Sequence, residues 1–311
     1  MFKDYLWGGT KLRDDFGKSS ELEKIAESWE LSCHSDGVSF IDNSFGQEQT
    51  LPRLIEKYGT ELIGSNCEKF DRFPVLIKLI DAKDNLSLQV HPDDKYASEH
   101  ENEYGKTEMW YVVDCEEGAS LIYGFKQEIT KNEFTARIKN NTLLDAVKIV
   151  PVKKGDVFFI NSGTLHAIGK NILIAEIQQN SNTTYRVYDY GRKDKNGVCR
   201  ELHTEKACDV TDLSPSAPCP SYPEKKHDGF SSRLLSSCEY FSTTLISIYE
   251  KAELFSDKAS FEHLLVIEGS GLITGPSLKM PFKKGDSIFI PAGYGSFTVS
   301  GSCLIIKTRI D

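Results

Sequence analysis

The chain is dominated by short apolar runs rich in Val, Ile, Phe and Tyr, set apart by polar and glycine-containing breaks. They include FPVLIKLIDA (73–82), EMWYVVDC (108–115), ASLIYGF (119–125), DVFFI (156–160), ILIAEIQ (172–178), TTYRVYDY (183–190), TTLISIYE (243–250), HLLVIEGSGLITG (263–275), DSIFI (286–290) and CLIIKTRI (303–310). Strands of about five residues punctuated by Gly and Pro turns predict a mainly β protein of sandwich or barrel type. Helical spacing is rarer. TLPRLIEKYGTELIG (50–64) repeats apolar residues at helical intervals, and ITKNEFTARIKNNTLLDAVKIV (129–150) opens with Thr130 and Glu133 in a capping-box pattern. A third, shorter helix is expected after Pro92, through DDKYASEH.

Between these regions, DVTDLSPSAPCPSYPEKKHDGF (209–230) carries four prolines and no apolar period, so it reads as a linker. It divides the chain into residues 1–210, a linker 211–229 and a C-terminal unit 230–311 with about six strand-like runs. An internal repeat crosses this division. KKGDVFFINSGTLHAI (153–168) returns as KKGDSIFIPAGYGSFTV (283–299): a Gly-Asp turn, a short strand, then a second turn. Counted at fixed spacing, Ser296 stands where the first copy has His166.

The repeated corner resembles a motif of the cupin family. That resemblance implies two jelly-roll β-barrels in tandem, with a few helices in the N-terminal part. A metal-binding cupin also needs ligands upstream. Gln89 and His91 lie two apart in LSLQVHPDDKY, on one face of a strand, Glu108 begins the next strand, and His166 follows in the repeated corner. Two imidazoles, a carboxylate and an amide oxygen suit a borderline divalent ion, with one Zn²⁺ per chain as the leading expectation.

Composition narrows the partners. Lys and Arg number 37 against 46 Asp and Glu, a net charge of -9, which disfavours nucleic acid and leaves any anionic ligand to a local cationic pocket. The first residues have no signal-peptide pattern and no run approaches a membrane span, so a cytoplasmic protein is expected. Eight cysteines without a CxxC pair read as reduced, mostly buried thiols. Trp7, Trp29 and Trp110 are expected to pack between layers, and His34 to line or brace the site. His100, His203, His227 and His263 are expected at surface or turn positions, and RKDKNG (192–197) as a solvated hairpin.

The runs LSLQVHPDD, GKTEMWYV and GTLHAIGKNILIAEIQQNSNTTYRVYDYGR together resemble the type I mannose-6-phosphate isomerase family in its short bacterial form. YLWGGTKL and IAESWELSCHSDG extend the resemblance over nearly the whole chain. It implies zinc held by Gln89, His91, Glu108 and His166, a catalytic Arg186, substrate contacts from Ser87 and Lys106, and a further catalytic role for Glu176. Lys106 and Arg186 are both expected to bind the substrate phosphate or stabilise the enediolate, and Lys106 to act in catalysis by moving protons. The implied reaction is aldose–ketose isomerisation of a hexose 6-phosphate, mannose 6-phosphate to fructose 6-phosphate, through an enediol. KTE stands where longer members have Lys-Pro-Glu, a change that keeps both the lysine and the ligand. Two other functional classes share the barrel. An iron-dependent cupin oxygenase would place a third histidine where Gln89 stands, and a non-catalytic sugar-phosphate-binding cupin would not need every ligand and Arg186. The sequence leaves the oligomeric state open.

Overall fold

The computed structural model describes residues 1–41, 49–193, 196–276 and 278–311. The chain is mainly β, and most of its strands belong to three antiparallel sheets. The first runs, edge to edge, through Phe2–Lys3, Glu27–Leu31, Val75–Ala82, Ile172–Gln179, Glu108–Cys115 and Val157–Ile160. Val75–Ala82 and Ile172–Gln179 are buried along their whole length, as continuous apolar runs require when both faces of a sheet are covered. The second sheet orders Val147–Pro151, Ser120–Phe125, His166–Ala167, Leu88–Val90 and Tyr185–Tyr188. The third is C-terminal and turns on two long strands, Glu262–Thr274 and Gly295–Arg309.

Alternation along each strand assigns its residues to separate cores. Trp110, Val112, Ile80 and Ile174 of the first sheet meet Leu121 and Tyr123 of the second, filling the space between those two layers. The outer face of the second sheet, through Val90, Phe125 and Val187, packs on Phe134 and Ala207 of two helices. The opposite face of the first sheet, through Met109, Tyr111, Ile77 and Ala175, packs on Leu235, Leu265, Ile267 and Ile306 of the C-terminal sheet. That sheet wraps its own core, which Leu264, Val266 and Ile305 share with Phe282, Phe297 and Val299.

The repeat is real at the first turn. Gly155 and Gly285 adopt φ of +89° and +92°, a region in which a side chain would be strained. Their N–H groups donate to the Val112 and Val266 carbonyls, and the Asp156 and Asp286 side chains accept from the Lys153 and Lys283 N–H. The following strands pair alike, Ile160 opposite Glu108 and Ile290 opposite Glu262. The equivalence then slips. His166 is fully buried, whereas Ser296 is exposed and Phe297 turns inward, because one residue of register flips a strand's faces.

Other expectations need correction. The helix expected over 129–150 begins as expected, with Thr130 accepting from the Glu133 N–H, but ends at Lys139. Asn141 follows with φ 60°, and Val147–Pro151 is a strand. The 50–64 pattern is broken at Gly59 into Leu51–Tyr58 and Thr60–Ile63, while Asp94–Glu101 is the helix expected after Pro92. Thr204–Val210 is a helix that the apolar spacing did not reveal, and Lys225–Lys226 is a short strand inside the expected linker. His263 is not a surface residue: it is completely buried, its Nε2 2.8 Å from Ser287 Oγ, and burial pushes its pKa down to about 3. The eight thiols are free, but only Cys67 and Cys303 are buried and Cys199 is exposed. In RKDKNG, Asp194 and Lys195 lie outside the described residues, and Arg192 is not solvated but paired with Asp189. No helix among the described residues is long and apolar enough to cross a membrane.

Candidate metal centre and active site

Two transverse rows of side chains face each other between the first and second sheets. On the second, Arg186 lies opposite Gln89 and Gln89 opposite His166. On the first, Glu176 lies between Trp110 and Lys78, and Lys78 opposite Trp29. Side chains two apart on a strand share a face, so Glu108 joins the Trp110 side and His91 continues from Gln89.

His91, Glu108 and His166 are all buried, and one ligand atom from each lies within 4.8 Å of the others. His91 Nδ1 is 2.9 Å from the Thr183 carbonyl and His166 Nδ1 is 2.8 Å from the Thr164 carbonyl. A carbonyl can only accept, so both Nδ1 atoms carry the proton and both Nε2 atoms are acceptors, that of His91 3.2 Å from Lys106 Nζ. These Nε2 atoms stand 3.8 Å and 3.4 Å from the Glu108 oxygens. Neither Glu108 oxygen accepts a hydrogen bond, and Lys106 Nζ lies 3.0 Å from Oε2 as an ion pair. Lys106 supplies one positive charge to this fully buried carboxylate, and two imidazole nitrogens converging on it form a donor set that fits a divalent ion. The Gln89 side-chain amide nitrogen lies 3.5 Å from His166 Nε2.

The same burial shifts the ionisation equilibria. Without a metal, Glu108 is pushed up to about 7 by burial first and by repulsion from Glu176 second, against the pull of Lys106. Burial lowers His166 to about 4 and His91 well below the usual range, leaving both imidazoles neutral at ordinary pH.

A cavity of about 310 Å³ opens beside this centre. Ser87, Gln89, Lys106, Glu176 and Arg186, all singled out in the sequence, line it. Arg186 Nε donates to Ser87 Oγ at 3.3 Å, and Ser87 Oγ in turn lies 3.4 Å from Gln89 Oε1. Arg186 therefore forms an ion pair with neither Asp189 nor Glu176. Asp189 is taken by Arg192 and Arg200, while Arg186 Nη1 donates to the Glu201 carbonyl at 3.0 Å. Trp7, Trp29 and Trp110 are buried as expected, although Trp7 also borders the cavity. His34 braces rather than lines: its Nε2 is 3.3 Å from Glu103, and the Trp29 ring meets it edge-on.

Three charged residues of the cavity wall escaped the sequence reading: Lys78, Glu27 and Arg200. Lys78 left a signal, a single lysine inside the apolar run VLIKLIDA. It is fully buried, 3.4 Å from Glu176 and 3.8 Å from Glu27. Burial opposes its charge, yet Glu27, Glu176 and Glu108 outweigh that and hold its pKa above the ordinary lysine value. Glu176 is the complement. Burial alone would raise its pKa, but Lys106, Lys78 and the Trp110 indole N–H, which donates at 2.9 Å, bring it below the usual carboxylate range. Lys78→Met is expected to destabilise the fold by about 3 kcal/mol, because it strands two buried carboxylates; urea unfolding at pH 7 measures it.

The chain resembles known proteins over nearly all of its length. The description of the type I phosphomannose isomerase catalytic domain matches residues 1–121, and that of the mannose-6-phosphate isomerase cupin domain matches residues 232–310. The chain is 41% identical to mannose-6-phosphate isomerase ManA of Bacillus subtilis, over 98% of this chain and 96% of that one. It is 38% identical to the mannose-6-phosphate isomerase of Streptococcus mutans, over 98% and 94%. The crystal structure of the mannose 6-phosphate isomerase from Bacillus subtilis superposes with a TM-score of 0.93 at 40% identity, covering 100% of this chain and 98% of that one. Sharing its sequence with these enzymes over its full length and its fold with the solved one, the chain belongs to the type I phosphomannose isomerase family.

Proposed function

We propose that the protein interconverts mannose 6-phosphate and fructose 6-phosphate through an enediol, with one Zn²⁺ held by Gln89, His91, Glu108 and His166. The observation that carries this reading is a buried set of two imidazoles and a carboxylate, with one ligand atom of each within 4.8 Å of the others, beside a cavity lined by Lys78, Lys106, Arg186 and Arg200. Zinc, when bound, supplies a Lewis acid that polarises or orients the sugar oxygens. Zinc is favoured over iron because one donor is a neutral amide and the tetrahedral preference of zinc suits mixed N and O ligands.

The chain's own residues supply the rest. Arg186 presents a planar fork to the phosphate or to the oxygens of the enediolate, with Ser87 fixing its Nε. Lys106 and Glu176 stand on the cavity wall with opposite charges, a pair able to pass a proton between neighbouring carbons while the isomer forms. Lys78 keeps Glu176 ionised and so able to accept that proton.

The same reading assigns the chemistry to residues 1–210 and a bracing role to residues 230–311, as two cupin-like barrels with a linker between them. The shared Gly-Asp turn supports it. So does Glu262, which stands in the register of Glu108 but pairs with Lys307 at 2.8 Å and Arg309 at 2.9 Å, so that protein cations take the place of a metal. Eight free thiols suit a reducing, cytoplasmic setting.

The deciding experiment is to purify the protein, measure its metal, and assay mannose 6-phosphate with a coupled fructose 6-phosphate readout, with and without a chelator. Turnover that zinc restores after chelation is expected; bound zinc without turnover, or iron with oxygen consumption, refutes the proposal. Metal binding also has a proton signature. With Glu108 at about 7 and both imidazoles neutral, loading the metal-free protein at pH 6 should release about one proton, falling towards none at pH 8. Calorimetry in buffers of different ionisation enthalpy measures it.

A further inference from the structure

We propose that Tyr240, in the turn between the C-terminal strands Phe230–Ser237 and Ser242–Ile248, is a positioning residue for the segment carrying Lys106 and Glu108, acting through Asp94 and Gln179. The inference rests on the proposed roles of Lys106 and Glu108 and extends them to a part of the chain that touches neither.

The path is continuous. Tyr240 OH donates to Asp94 Oδ2 at 2.7 Å. Asp94 Oδ1 accepts from the Gln179 side-chain amide at 2.8 Å and from the Gly105 N–H at 2.8 Å. Gln179 Oε1 then accepts from the Thr107 N–H at 2.8 Å, and the Gln179 N–H donates to the Thr107 carbonyl at 3.0 Å. Between them, the Lys106 N–H donates to the Pro92 carbonyl at 3.0 Å. Three consecutive N–H groups, at residues 105, 106 and 107, are thus tethered immediately before Glu108 opens its strand.

Two features make this more than packing. Asp94 lies in the first turn of its helix but does not cap it. Asp93 does that by accepting from the Tyr96 N–H, so the Asp94 carboxylate is free to gather donors from three separate segments. The segment packs closely on the start of that helix: a Cβ at Gly105 would come within 2.5 Å of the Asp93 carbonyl carbon and the Asp94 nitrogen. The Tyr240 phenol stays protonated and can only serve as donor towards the carboxylate, since burial and the Asp94 charge both raise its pKa.

The consequence is geometric. Lys106 Nζ reaches His91 Nε2 at 3.2 Å and Glu108 Oε2 at 3.0 Å, and shifts of about 1 Å in such groups change rates severely. Removing the donor from the far end of the chain leaves Asp94 with one partner fewer and loosens the segment that it holds.

Tyr240→Phe removes the hydroxyl and keeps the ring against Phe70. We measure loss of zinc to a chromophoric chelator, kcat and KM, and the urea midpoint. Outer partners of metal ligands typically tune affinity by about 10- to 100-fold, and Tyr240 acts at one further remove. The expected result is zinc release faster by roughly threefold to tenfold, kcat lowered by a similar factor with KM unchanged, and a urea midpoint close to wild type. Asp94→Asn should give at least the same effect, and the double variant should add nothing to it. Phe70→Leu, which disturbs the ring but not the hydrogen bonds, should release zinc at the wild-type rate. Wild-type zinc release by Tyr240→Phe, or additive effects in the double variant, overturns the proposal. Failure of the isomerase reading itself would show separately, as a wild-type protein that holds zinc and turns over no mannose 6-phosphate.

Discussion

His166→Ala is expected to leave the protein folded but nearly metal-free, with isomerase turnover lower by on the order of 10³-fold. A bound ion contributes several kcal/mol of charge stabilisation, and each 1.36 kcal/mol is a factor of ten in rate, so losing about 4 kcal/mol gives about three decades. The effect concentrates at His166 because it contacts every part of the centre. It approaches Glu108 at 3.4 Å, stands opposite Gln89 across the sheet, and carries its Nε2 lone pair because its one ring proton sits on Nδ1, which donates to the Thr164 carbonyl. Metal analysis, circular dichroism and the coupled assay on the same preparation test this, and full metal occupancy in the variant would refute the assigned ligand set. Gln89→Ala should lose the least metal of the four ligand variants, its amide being neutral and the weakest donor.

Arg186→Ala should lower kcat/KM by about 10²- to 10³-fold while retaining the metal. Removing one partner of a desolvated, charge-assisted contact costs about 2–5 kcal/mol, and Arg186 is half-buried at the cavity wall. Arg186→Lys should recover only part of the loss. A lysine keeps the charge but not the fork that reaches Ser87 and a ligand together. Steady-state kinetics with matched zinc content checks both, and an unchanged rate for the alanine variant would remove Arg186 from the mechanism without disturbing the metal centre. Neighbouring Arg192 and Arg200 cannot readily substitute, because Asp189 holds both.

Much of the candidate site was legible because its chemistry needs rare side chains at fixed strand spacing. Gln89 and His91 in one strand, and Glu108 at the start of another, are conspicuous in any apolar β pattern. Lys78 was missed although it stood in plain view, since a lysine within VLIKLIDA reads as one polar face of a strand rather than the centre of a charge triad. Glu27 and Arg200 left no signal at all, because nothing in their neighbourhoods distinguishes them from solvated residues. His263 failed in the opposite direction. It is expected at the surface but is completely buried, in the strand whose Leu265 and Ile267 pack against the first sheet.

Local physics, then, was determined by the sequence itself. Apolar runs made strands, Thr130 started a helix, and Gly155 and Gly285 made identical turns, because backbone conformation depends on neighbours a few residues away. Only the tertiary structure decided which charges meet. Lys78, Glu176 and Glu27 become one buried group when three strands align, and Tyr240 reaches Asp94 across 146 residues of sequence. It also decided that Ser296 is no counterpart of His166: a one-residue change of register turns a side chain from core to solvent, and register is set by the strands on either side.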